Sequence, residues 1–156
     1  MAAKIASWST RSAWIREVLR SGILAGLAMV PFAALFRARG LRVNEYGRKT
    51  LELVVGRVAE PAHTVLTFVQ HLVISCVVAV PILLLLARVP RRRDRIGIAV
   101  AYGALFYVIV NSLLLPFAFG DPTPWQLGFA TIYPSLFIHL VYGFVIGWVA
   151  RPPPRA

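Results

Sequence analysis

Four stretches of this 156-residue chain contain no Asp, Glu, Lys or Arg: Ser21 to Phe36, Pro61 to Ala87, Ile96 to Gly120 and Pro122 to Ala150. Three of them exceed the roughly 20 residues that an α-helix needs to cross a hydrocarbon core. Lipid offers no partner to backbone N–H and C=O groups, so an uncharged run of that length is expected to form a spanning helix. The first run is shorter, but Val18 and Leu19 extend it and Arg20 can snorkel to the headgroups. The expected fold is a single all-α membrane domain, a four-transmembrane-helix bundle with spans at about residues 18–36, 62–87, 96–119 and 127–150.

The chain is strongly basic, with a formal net charge of +11, and charge placement decides what that means. Four basic residues precede the first span, six lie between spans 1 and 2, five between spans 2 and 3, and two in the tail. With an even number of spans, the N-terminus, the "RVPRRRDR" loop and the C-terminus share one face. The positive-inside rule then places both termini in the cytoplasm of a bacterial-type inner membrane. The excess of basic residues follows from this topology, and no nucleic-acid partner is expected. No A-x-A-like site follows Phe36, so the first span is expected to stay uncleaved. Cys76 is the single cysteine and lies mid-span, where it reads as a small core hydrophobe.

The connection between spans 1 and 2 reads as a short amphipathic outer helix within about residues 44–60. In "NEYGRKTLELVVGRVAE", Leu51, Val54, Val55 and Val58 follow helical spacing, while Glu45/Lys49 and Arg48/Glu52 are i, i+4 pairs. Trp14 and Trp148 are expected in one interfacial belt and Trp125 in the other. The "GDPTPW" connection reads as a tight proline-set turn, with Asp121 as a turn-former rather than a catalytic acid.

The halves echo each other. Spans 1 and 3 carry "PFA" at residues 31–33 and 116–118, and spans 2 and 4 carry "HLV" at residues 71–73 and 139–141. That order predicts two helical hairpins of one orientation, related by a pseudo-two-fold along the membrane normal.

Each span also carries a small or polar stripe at i+4 steps. Span 1 has Gly22 and Gly26; span 2 has His63, Thr67, His71, Ser75 and Ala79; span 3 has Ala99, Gly103, Tyr107 and Asn111; span 4 has Ser135, His139, Gly143 and Gly147. Small residues let helix backbones approach where the hydrophobic effect cannot drive association, so Gly22, Gly26, Gly103, Gly143 and Gly147 are expected at helix–helix contacts. At about 1.5 Å per residue, His71 lies about 14 Å, Asn111 about 12 Å and His139 about 18 Å from the outer end of its span. These residues, with Tyr107 and Ser75, form an expected intramembrane polar layer facing inward and hydrogen-bonded to one another, to Tyr107, Tyr142 or Ser75, or to trapped water, because a polar group exposed to lipid there is costly.

Three roles compete for this layer. The histidines can be neutral interhelical hydrogen-bond glue, axial ligands of haem b through His71 and His139, or relay groups of a proton or small-solute path. No other cofactor is expected. Glu60 and His63 form an E-x-x-H, half of a di-iron motif, but the chain lacks a second copy, and His63 is expected to be hydrated at the interface. Neither a phosphate loop nor a Ser/His/Asp arrangement is present, so no enzyme chemistry is expected. The favoured expectation is a small accessory subunit or homo-oligomer that packs through its glycine- and histidine-bearing faces. Its partners would be membrane lipids and other membrane-protein subunits or further copies of itself.

"GIAVAYGALFYVIVNSLLLPFAFGDPTPWQLGF" followed by "FIHLVYGFVIGWVAR" resembles the C-terminal half of the YagU-like inner-membrane proteins. In that family an apolar helix ends in a Pro-Phe/Leu pair, a Pro-rich turn with a Trp follows, and the last helix carries His-Leu-Val. The likeness covers about residues 61–150 and includes the spacing of His63 and His71. It implies a polytopic inner-membrane protein. Where the family pattern has a histidine on the third span, this chain has Asn111.

Overall fold

The computed structural model describes residues 2–43 and 46–153, with side chains described from Arg11 onward. The described residues form helices and connecting turns. Helix α1 covers Ala2–Ala38, α2 Tyr46–Val55, α3 Ala62–Leu86 and α4 Arg92–Phe106. A π-helical segment, Tyr107–Leu114, continues α4 into α5, Leu115–Phe119; then come α6, Pro124–Leu127, and α7, Phe129–Val149. Four rods are long and apolar enough to cross a bilayer: Arg11–Ala38, Ala62–Leu86, Arg92–Phe119 and Phe129–Val149. The chain is a multi-pass membrane protein folded as an all-α four-helix bundle.

The rods alternate in direction, so one end of the bundle carries both termini and the other carries α2 and α6. α1 packs along both α3 and α7, α4 packs most closely along α7, and α3 meets α4 and α7 only sparsely. The bundle is therefore a ring that is loosest between α3 and α4. Its core combines aliphatic residues such as Ala79, Ile82, Leu83, Leu86 and Ile146 with an aromatic seam between α1 and α7. There Phe32 and Phe36 meet Phe137 and Tyr133 edge-on, with centroids 5.3–5.6 Å apart, the arrangement that ring quadrupoles favour.

Glycines set the closest approaches. A Cβ on Gly22 would lie 2.6 Å from the Cα of Cys76, and one on Gly26 would lie 2.7 Å from Ser75 Oγ, so α1 and α3 meet nearly backbone to backbone. Between α4 and α7, a Cβ on Gly103 would overlap the His139 carbonyl, one on Gly143 the Ala99 carbonyl, and one on Gly147 would lie 2.6 Å from the Cα of Ile96. These five glycines thus join the two helices of each sequence hairpin to one another, within the chain.

At the end bearing the termini, a buried carboxylate ties α1 to the end of α7. Glu17 accepts from Arg20 at 2.9 Å, from Ser21 Oγ at 2.7 Å and from the backbone N–H of Arg151 at 2.7 Å. Arg20 also donates to the Val149 carbonyl at 2.6 Å. Arg92 lies 3.8 Å over the Trp148 ring, a cation–π contact.

At the other end α2 is held by side chains. Leu51 is its buried residue, Thr50 Oγ1 accepts from Gln70 Nε2 at 2.9 Å, and Tyr46 stacks on Phe119. The Arg48 pairing and the apolar face differ here from the sequence expectation. Arg48 pairs with Glu60 at 3.1 Å instead of with Glu52, and Lys49 pairs with Asp121; Glu45 lies outside the described residues. Val54 and Val55 are exposed, and Val58 lies beyond the helix end, where Gly56 takes a left-handed φ of 74°.

Candidate functional site

The i+4 stripes turn inward. His63, Ser75 and Ala79 on α3, Ala99 and Gly103 on α4, Tyr107 on the π-helical segment, and Ser135, His139, Gly143 and Gly147 on α7 are all buried. Thr67, His71 and Asn111 are half-buried.

His139 has both ring nitrogens engaged. Nδ1 lies 2.6 Å from the Ser135 carbonyl, and because a carbonyl only accepts, Nδ1 carries the proton. Nε2 then accepts from Asn111 Nδ2 at 2.8 Å. The ring stacks on Phe106 at 5.9 Å and tilts against Tyr107 at 5.6 Å. A neutral imidazole with one tautomer and apolar faces is the result.

His71 turns to a different partner: its Nε2 donates to the Gly26 carbonyl at 3.0 Å. The two contacts correspond. Gly26 stands five residues before Pro31 of the first "PFA", and Asn111 stands five residues before Pro116 of the second. Each "HLV" histidine therefore points its Nε2 at the same register position of the preceding span, a backbone carbonyl in one hairpin and a side-chain amide in the other. Thr67 and Ser135, four residues before the two histidines, also correspond.

The other polar groups close locally or across the bundle. Ser75 Oγ and Thr67 Oγ1 donate to the carbonyls four residues earlier, both at 2.8 Å. Tyr142 donates across to the Ser75 carbonyl at 2.6 Å and Tyr102 to the Val78 carbonyl at 2.9 Å. Tyr142, an expected hydrogen-bond partner of the histidines, serves backbone instead.

Two groups were not legible beforehand. Ser112 is fully buried because the π-helical segment, with its i+5 bonding, rotates the helix surface just before Pro116. Proline has no N–H to complete the ladder, so an apolar span with an internal proline was the available signal. Ser112 Oγ and the Tyr107 hydroxyl, five residues apart, lack a hydrogen bond of good geometry. The second is His63, which is 3% exposed rather than hydrated as its interfacial position suggests. α2 covers it, with Glu52 3.6 Å from Nε2 and Glu60 3.8 Å from Nδ1. The two carboxylates address opposite ring nitrogens, and no group of three metal-ligating side chains converges among the described residues.

The donor set does not fit haem b. Axial ligation needs a ring nitrogen from each histidine, whereas both nitrogens of His139 and Nε2 of His71 are engaged with protein groups. The near-contact of α4 with α7 at Gly103 and Gly143 also leaves no porphyrin-wide gap beside His139. No family model, curated protein or solved structure matches the chain.

Proposed function

We propose that the chain is a non-enzymatic structural or accessory subunit of a bacterial-type inner membrane, with both termini cytoplasmic, working in a complex or as a homo-oligomer. The observation that supports this most is the closure of His139. A relay imidazole takes a proton from one titratable group and hands it to another, and the Ser135 carbonyl opposite Nδ1 can neither give nor take one. The histidines then serve as interhelical bonds inside each hairpin, a contribution of about 0.6–1.7 kcal/mol apiece in membranes. Kinship with the YagU-like proteins belongs to the same proposal and rests on the Pro-Phe, Trp-turn and His-Leu-Val residues.

Because the glycine faces are occupied within the chain, association falls to lipid-facing surfaces. The strongest is on α3, where Val65, Val69, Val73 and Val77 stand at i+4 steps and each is at least half exposed. Valines have nearly fixed rotamers in helices, so packing them costs little side-chain entropy. Native mass spectrometry of gently extracted protein should show a dimer or a stoichiometric larger complex. Val69→Trp with Val73→Trp should disperse it. A monomer under the mildest extraction overturns the reading.

A second reading, a proton or small-solute path, is favoured by one feature: the buried Tyr107 and Ser112 hydroxyls on a π-helical segment beside His139. Proteoliposome flux above protein-free vesicles that falls in Tyr107→Phe supports it. Flux equal to that of empty vesicles excludes it.

A further inference from the structure

The last turn of α2 is apolar on three sides. Consecutive helical residues point about 100° apart, so Leu53, Val54 and Val55 project in three directions. They are 76%, 81% and 48% exposed, and Gly56, at a left-handed φ of 74°, ends the helix directly after them. Three adjacent aliphatic side chains left in water are unfavourable, and a helical turn that is apolar all round belongs in an apolar surrounding.

Contacts with α3 fix the depth of this helix. α3 has 25 residues and is about 37 Å long at 1.5 Å per residue, against a hydrocarbon core of about 30 Å. The excess is only a few ångströms at each end. A Cβ on Gly47 would lie 3.5 Å from the Thr67 methyl group, and Thr50 Oγ1 accepts from Gln70 Nε2 at 2.9 Å. Thr67 and Gln70 stand about 8 Å and about 12 Å along α3 from Ala62. α2 is thus set into the end of the bundle at the depth of the bilayer interface, where amphipathic helices rest. Gly47, Thr50 and Val54 follow i, i+3, i+7 spacing and share one face; the first two meet α3, whereas Val54 lies clear of it. The charges of α2 do not oppose this depth. Arg48 pairs with Glu60 at 3.1 Å, Lys49 pairs with Asp121, and Glu52 lies 3.6 Å from Nε2 of His63. Each charged side chain of α2 therefore has a polar protein group beside it, and none enters lipid alone. At the same end of the bundle Val65 on α3 and Phe117 on α5 are exposed, so the apolar turn extends a surface that the spans already present to lipid.

We propose that the last turn of α2 is immersed in one leaflet at the end opposite the termini, where Leu53, Val54 and Val55 form a lipid-contacting surface. Its partner is the acyl-chain hydrocarbon of the surrounding phospholipids, next to their glycerol esters, and α2 acts as a one-leaflet anchor.

The test uses the full chain, carrying Cys76→Ala so that one thiol is present at a time, in vesicles of phosphatidylethanolamine and phosphatidylglycerol. A nitroxide attached at Leu53→Cys or Val54→Cys is probed by collision with oxygen, which concentrates in hydrocarbon, and with a neutral nickel chelate, which stays in water. Leu105→Cys, exposed on α4 within a span, gives the lipid reference. Arg93→Cys, exposed at the end bearing the termini, gives the water reference. The ratio of oxygen to nickel collisions at both α2 positions should shift from the Arg93 value towards the Leu105 value. A ratio equal to that of the Arg93 label places the turn in water and overturns the proposal. Suppression of both kinds of collision shows the turn covered by protein, as by a second copy of the chain, and also overturns it. The labelled positions are exposed, and unchanged helical circular dichroism verifies the fold of each variant. A second measurement needs no substitution: in nanodiscs, nuclear Overhauser contacts from the Leu53 and Val54 methyl groups to acyl methylenes support the proposal, and contacts to water alone overturn it.

Discussion

Replacing Gly143 with alanine adds one methyl group, and the geometry sets what it must displace. The new carbon would overlap the Ala99 carbonyl oxygen and would stand 2.8 Å from the Ala99 carbonyl carbon and 2.9 Å from the Cα of Val100. All three are backbone atoms of α4, so no rotamer change relieves the overlap, and α4 must move. Carbon atoms rest about 3.5–4.0 Å apart, which requires a separation of about an ångström. Overpacking of this kind costs about 1–3 kcal/mol. The same movement stretches the 2.8 Å bond between Asn111 and His139, adding up to about 1 kcal/mol. Gly97→Ala is the control: it lies on the facing helix α4 with open space around its Cβ position, and replacing a helical glycine there should stabilise by up to about 1 kcal/mol. Reversible unfolding in mixed micelles, followed by circular dichroism, should move the two variants in opposite directions. A Gly143→Ala protein as stable as wild type would refute the backbone-contact reasoning.

Other consequences can be measured in the same way. Glu17→Ala removes the acceptor shared by Arg20, Ser21 and the Arg151 N–H and should cost about 2–3 kcal/mol, while exposed Arg16→Ala should change stability by less than about 0.5 kcal/mol; equal effects would show that the clasp is idle. Asn111→Leu leaves His139 Nε2 without its donor and should cost about 1 kcal/mol, so a neutral result removes that bond from the account. The Glu60 carboxyl is held below its ordinary value of 4.5, first by the hydroxyl of Thr64, against the opposing effect of burial. A depressed carboxylate stabilises the fold above its unfolded-state value and loses that contribution as pH falls through the folded-state value, so the window lies below pH 4.5. Thr64→Val should raise the Glu60 midpoint in a carboxyl carbon NMR titration, and an unmoved midpoint would assign the depression to other groups.

The histidine stripes show how far local pattern carries. Ser135, His139, Gly143 and Gly147 at i+4 steps specify an inward face whatever the neighbour, because lipid penalises polar side chains and rewards glycine only at helix contacts. Which of the candidate partners each histidine takes was not legible. Periodicity orients a side chain about its own helix axis and carries no information on what the next helix presents, so Asn111 for His139 and a bare carbonyl for His71 emerge only once the helices are in place. His63 is the sharpest case. Its interfacial depth implied water, and the covering by α2 arises from contacts such as Thr50 with Gln70 and Lys49 with Asp121, 20 and 72 residues apart in the chain.

Four uncharged runs were enough to dictate four helices, since in a bilayer the backbone has no other way to satisfy itself. Basic residues between the runs, read with the positive-inside rule, supplied an expected orientation. The tertiary structure settled matters that depend on distance between segments. It committed the five glycines to contacts inside the two hairpins, drew Ser112 into the core through a π-helical turn ahead of Pro116, and gathered Arg37, Arg42, Lys49 and Asp121 around one cavity. Hydropathy acts on each residue separately and is therefore written along the chain, whereas a hydrogen bond or a charge cluster exists only when packing brings its members within a few ångströms.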